Sequence, residues 1–121
     1  EASILVGGGW KPGASSDRAG VKMARLVGAT RMVNLSNISY VYDHDPKTDK
    51  NAKALPKLSW EEFRAIIPNE WDPGMNVPFD PIAAKEAQEQ KLEVAVIHGE
   101  HLAELEHYLA KRPFKGTLIH D

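Results

Sequence analysis

The chain has 121 residues, 42% hydrophobic and 26% charged, with a formal net charge of −2 and no cysteine. That profile fits one globular domain and excludes a disulfide scaffold or a disordered segment. No apolar run approaches the ~18 residues of a membrane span, no signal-peptide pattern is visible, and Lys and Arg are too dispersed for a nucleic-acid stripe. The expectation is a cytoplasmic protein with neither a membrane nor a nucleic-acid partner.

Ser3 to Val6 reads as a short buried strand ended by Gly7-Gly8-Gly9. A strand so close to Glu1, with no initiating Met, suggests a chain cut from a longer one. A polar loop from Trp10 to Ser16 leads into a helix over residues 17–27. Ser16 or Asp17 is its cap, Val21, Ala24 and Val27 its inward face, and Gly28 its stop. Arg31 to Leu35 is the next strand. Strand, helix and strand within roughly 30 residues make a βαβ unit, which favours a parallel sheet.

The polar, lysine-rich run from Asp43 to Lys57 reads as an exposed excursion or hairpin. Ser59-Trp60-Glu61-Glu62 is a capping box, opening a helix whose buried stripe is Trp60, Phe63, Ile66 and Ile67. Pro68 to Pro78 is too proline-rich to be regular. Asp80-Pro81 then starts a third helix, with Ile82, Ala83 and Ala87 inward. Leu92 to Ile97 is a third parallel-type strand. A fourth helix runs from Glu100 to Lys111 with Leu102, Leu105 and Leu109 on one face, and Gly116 to Ile119 closes the chain as a short strand.

Two segments could carry chemistry. Gly7 to Asp17 places glycines between a strand and a helix, where backbone amides and the helix dipole can approach an anion, and Ser15 and Ser16 add hydroxyls. It is neither a Walker loop nor a dinucleotide fingerprint, since the Gly-Lys-Ser/Thr ending and the G-x-G-x-x-G spacing are both absent. Asp17 also reads as a plain helix cap. The second segment, Asn34 to Pro46, passes from an apolar strand into polar side chains, then Tyr42, then Asp45-Pro46. A loop at the C-terminal edge of a parallel strand is where open α/β sheets bind ligands. There Tyr42 could cover a base, or pack in the core, and a carboxylate and an amide could hold hydroxyls. A calcium loop built on Asp43, Asp45 and Asp49 fails, because Thr48 stands where glycine is needed and Ala54 where the bidentate acid belongs. No histidine pair has i, i+4 spacing, so no metal site is expected.

In the same order these segments resemble the amino acid kinase superfamily, most closely its archaeal-like uridylate kinases. So do Asn76-Val77-Pro78-Phe79-Asp80 before a helix and the closing Gly116-Thr117. The resemblance implies a three-layer α/β/α sandwich with a mainly parallel sheet. Residues 1–121 would form a single domain, the C-terminal nucleotide-binding portion of that fold. It implies transfer of the ATP γ-phosphoryl group to UMP with Mg²⁺ as cofactor. Gly9, Trp10, Lys11, Pro12, Gly13, Ala14, Ser15 and Ser16 would line the UMP site. Ser36, Asn37, Tyr42 and Asp45 would contact ATP, and Asp17 would order the catalytic lysines. Ser15 and Ser16 stand for the family's usual two threonines, and Ser39-Tyr40 for its usual Asp-Gly. The resemblance also implies a missing N-terminal half carrying a glycine-rich loop and a lysine, and a homo-oligomer, a hexamer, for the intact protein. The chain alone would be inactive. Two other readings remain: a non-catalytic nucleotide- or oxyanion-binding or storage member of the same superfold, and an unrelated flavodoxin-like interaction module.

Overall fold

A computed structural model of the chain describes residues 3–121. Its centre is a four-stranded sheet built from β1 (Arg31–Ser36), β4 (Lys57–Ser59), β5 (Glu93–His98) and β6 (Thr117–His120), in the order β1-β5-β6-β4. β1 runs parallel to β5, with Val33 opposite Ala95, and β4 runs parallel to β6, with Leu58 opposite Ile119. β5 and β6 are antiparallel. A separate two-stranded hairpin pairs β2 (Val41–Tyr42) with β3 (Ala54–Leu55).

β5 is buried from Val94 to Ile97, as a strand covered on both faces must be. Its residues alternate between two apolar clusters. Val94 and Val96 face α1 (Ser16–Val27), α2 (Trp60–Ile66) and α3 (Pro81–Glu89) through Val21, Phe63 and Ala84. Ala95 and Ile97 face Tyr108 of α4 (Leu102–Leu109). The result is the expected three-layer α/β/α arrangement with a mainly parallel sheet. Gly116 permits the close approach of β6 to β5: a Cβ there would lie 2.5 Å from the Val96 carbonyl oxygen. No described helix is long and apolar enough to cross a membrane.

The helix starts follow the local chemistry. Ser59 and Glu62 form the reciprocal capping box of α2, and Asp80 caps α3 with Pro81 in its first turn. α1 is capped by Ser15, one residue before the expected cap, and stops at Gly28 with φ 71°.

Several sequence expectations are corrected. Residues 3–6 form no strand: Ile4, Leu5 and Val6 are exposed, and β1 keeps an unpaired edge among the described residues. A four-residue segment with three apolar side chains makes a strand only where a ladder partner and cover exist, so the leading βαβ unit does not form. Val27 and Ile66 are exposed because each lies at the last turn of its helix, beyond the packed sheet. On α4, Leu102 and Leu109 are exposed and Tyr108 is the buried residue. Arg31 and Glu93 recruit Tyr108: its hydroxyl donates to Glu93 Oε2 at 2.6 Å and accepts from Arg31 Nε at 3.1 Å. Burial and the Glu93 carboxylate push the Tyr108 phenol up to about 12.

Candidate nucleotide-binding and phosphoryl-transfer site

The C-terminal end of β1 opens into a cavity of about 440 Å³. Its walls come from the chain after β1, the hairpin loop, the end of α2 and residues 75–78, and they include Ser36, Asn37, Tyr42 and Asp45. The four residues singled out by the sequence therefore share one cavity. Ile67, Pro68, Val77 and Pro78 give it an apolar side opposite the polar loop, the mixture expected of a small-molecule pocket.

The loop carrying Tyr42 and Asp45 is held by its own backbone. Asp43 Oδ1 accepts from Lys53 N–H at 2.7 Å, and Asp45 Oδ1 accepts from Lys47 N–H at 2.9 Å, an Asx turn. The Lys53 amide and the neighbouring His44 hold the Asp43 carboxyl below its ordinary value. A buried hydroxyl ties the hairpin to the main sheet, beside the core packing of Val41 and Leu55: Thr117 Oγ1 accepts from Val41 N–H at 2.8 Å and donates to the Leu55 carbonyl at 2.7 Å.

The second group of predicted residues lies at the start of α1. Ser15 Oγ accepts from Arg18 N–H at 3.1 Å as the cap, and donates its proton to Asp80 Oδ2. Asp80 is fully buried, and its Oδ1 accepts from the N–H groups of Ile82 at 2.7 Å and Ala83 at 3.3 Å. Its own N–H donates to Asp17 Oδ2 at 2.9 Å, while Asp17 Oδ1 accepts from Asn34 Nδ2 at 3.3 Å. Ser15, Asp17, Asn34 and Asp80 thus form one network joining α1, β1 and α3. Burial is the main reason the Asp17 carboxyl titrates above its ordinary 3.8; the Asp80 N–H opposes that shift and the Asp80 charge adds to it.

Gly9 to Gly13 form an exposed loop outside the cavity. Gly13 takes φ 81°, the Ala14 N–H donates to the Lys11 carbonyl at 3.1 Å, and Trp71 Nε1 donates to the Gly13 carbonyl at 3.1 Å. The Trp10 ring gathers three cations, with Lys22 Nζ 4.2 Å, Lys11 Nζ 4.3 Å and the Arg18 guanidinium carbon 5.1 Å from its centroid. Arg18 also donates to Glu86 Oε1 from Nε at 3.0 Å and from Nη2 at 2.8 Å. Sequence reasoning missed Arg18 and Lys22, and it read Asp80 as a helix cap and Asn34 as part of the run after the strand without linking either to Asp17. The i, i+4 spacing of Arg18 and Lys22 was a readable signal that they share a helix face; the Ser15–Asp80 contact, 65 residues apart, left none.

The chain and its fold have counterparts among known proteins. The model of the amino acid kinase family matches residues 4–98. A uridylate kinase of Hyperthermus butylicus is 34% identical over 96 residues, covering 79% of this chain and 42% of that protein. One of Methanocorpusculum labreanum is 35% identical over 117 residues, covering 96% of this chain and 50% of that protein. The crystal structure of uridylate kinase from Archaeoglobus fulgidus superposes with a TM-score of 0.72 at 29% identity, covering 92% of this chain and 49% of that one. The chain spans half or less of the length of these relatives. With a matched model over most of its length and the same layered sheet, the chain belongs to the amino acid kinase family.

Proposed function

We propose that residues 1–121 form one domain, the nucleotide-binding half of a cytoplasmic uridylate kinase-type phosphotransferase that converts ATP and UMP to ADP and UDP. The observation that carries this reading is the cavity at the end of β1, where Ser36, Asn37, Tyr42 and Asp45 converge. The uridylate kinase relatives support the choice of reaction.

In this reading ATP enters as its magnesium complex, which spreads the phosphate charge. Tyr42 covers the base, Asn37 and Asp45 hold ribose hydroxyls, and the apolar wall excludes water from the base. The loop from Gly9 to Ser16 holds UMP. Ser15 is already committed to Asp80, so the exposed Ser16 is the hydroxyl left to donate there. Asp17, fixed on both oxygens, orders the cations around the moving phosphoryl group. Phosphoryl transfer depends mainly on such positioning and charge stabilisation. A further half of the fold supplies the remaining cations, and the intact protein is a homo-oligomer, a hexamer.

The test is a coupled ADP assay on protein carrying both halves, with UMP, CMP and acetylglutamate offered in turn. UMP-dependent ADP formation is expected, with none above background from residues 1–121 alone. Nucleotide binding without acceptor-dependent ADP formation would replace the kinase with a non-catalytic nucleotide binder.

A further inference from the structure

A second cavity, of about 530 Å³, lies between the end of α2 and the start of α3. It meets the first only at a shared wall, Ile67 and Pro68. Its charged lining consists of Arg64 and Lys85, with no carboxylate among the lining residues. Neither cation is ion-paired among the described residues. Arg64 Nη1 donates to the neutral Gln88 Oε1 at 2.6 Å, which fixes the guanidinium and leaves its remaining donors unspent. The rest of the lining is Ile67, Pro68, Pro81 and Ile82 beside the Asn69 amide, and most of the accessible wall is polar.

We infer that this cleft is a binding site for a small phosphomonoester, distinct from the nucleotide cavity. The held guanidinium of Arg64 and the ammonium of Lys85 match a dianion in charge, and a planar guanidinium suits the paired oxygens of a phosphate. Two cations lining one cavity with no carboxylate in its lining repel each other, and a bound dianion relieves that repulsion. The accessible parts of Ile67, Pro68 and Ile82 give the organic part of the ester a small apolar contact that a free inorganic anion cannot use. The inference goes beyond the kinase reading and does not depend on it, because only Ile67 and Pro68, at the shared wall, line both cavities, and neither cation of this cleft is assigned to ATP or UMP.

The probes are phenyl phosphate, inorganic phosphate and benzoate, titrated into the isotopically labelled chain by two-dimensional NMR. The readout follows the Asn69 side-chain amide, the Arg64 guanidinium and the backbone of residues 82–85. Phenyl phosphate is expected to saturate these signals, and to bind at least threefold tighter than inorganic phosphate and more tightly than benzoate. Lys85→Gln, at an exposed position that does not bear on folding, should raise its Kd about fivefold, and the added Arg64→Gln should at least double that again. Tyr42→Ala should leave it unchanged. Absence of saturation, shifts confined to the Tyr42 cavity, or an unaltered Kd in Lys85→Gln would overturn the site. Benzoate binding as tightly as phenyl phosphate would overturn the assignment to a phosphomonoester.

Discussion

The backbone N–H of Asp80 donates to Asp17 Oδ2 at 2.9 Å across 63 residues of sequence. One buried aspartate therefore caps α3, receives the Ser15 proton and holds the other aspartate in place. Asp80→Ala should remove the cap and strand the Ser15 hydroxyl together, a loss of about 2–4 kcal/mol. Asp80→Asn retains a capping oxygen and should lose about 1 kcal/mol or less. Urea unfolding measures both; an alanine variant as stable as the parent would make the network incidental.

Asp17 carries a pH signature. Its folded carboxyl titrates above 3.8 because it is buried. An acid shifted upward costs stability when charged, so the cost is present at neutral pH. It is relieved as pH falls through the raised value and vanishes below 3.8. Asp17→Asn keeps an oxygen for the Asp80 N–H without the charge. It should be at least as stable as the parent at pH 7, with the difference closing on acidification. On the role proposed for Asp17, turnover of the protein carrying both halves should nevertheless fall markedly with its charge removed. Unchanged kcat would leave Asp17 with a structural role alone.

For the nucleotide cavity, Tyr42→Ala should weaken ATP binding by about 1 kcal/mol, roughly fivefold in Kd, through loss of an aromatic contact. Tyr42 is only half-buried at the end of its short strand, so thermal stability should barely change. Calorimetric affinity equal to that of the parent protein would return Tyr42 to packing.

Thr117→Val preserves shape but leaves the Val41 N–H and the Leu55 carbonyl without their shared partner. The expected cost is about 1–3 kcal/mol. Because that hydroxyl fastens the hairpin, amide exchange should quicken first at Val41 to Lys53 and only later in β5. Uniform loss of protection across the sheet would show that the hairpin does not open independently.

What was legible in the sequence was whatever local chemistry decides. Ser59 with Glu62, Asp80 with Pro81, and Gly28 marked helix ends correctly because caps act within a few residues. Ser36, Asn37, Tyr42 and Asp45 could be grouped from the sequence because they lie close together in the chain at and just after the end of β1. The leucines of α4 misled, since periodicity shows that a helix has an apolar face but not what covers it; the buried anchor is Tyr108. Residues 3–6 misled for a related reason, because strand-like composition does not supply a ladder partner. Ser15 read as a free hydroxyl, and only the fold brings Asp80 to it.

The unpaired edge of β1 has a consequence for handling the molecule. A row of open N–H and C=O groups accepts any extended chain that reaches it. Ile4, Leu5 and Val6, proline-free and exposed, are such a chain, carried by every copy. At high concentration one molecule's leading segment can add to the next molecule's β1 edge, and nothing in that head-to-tail contact limits its repetition. Covering the edge of β1 left unpaired among the described residues should therefore raise the concentration at which the chain stays monomeric.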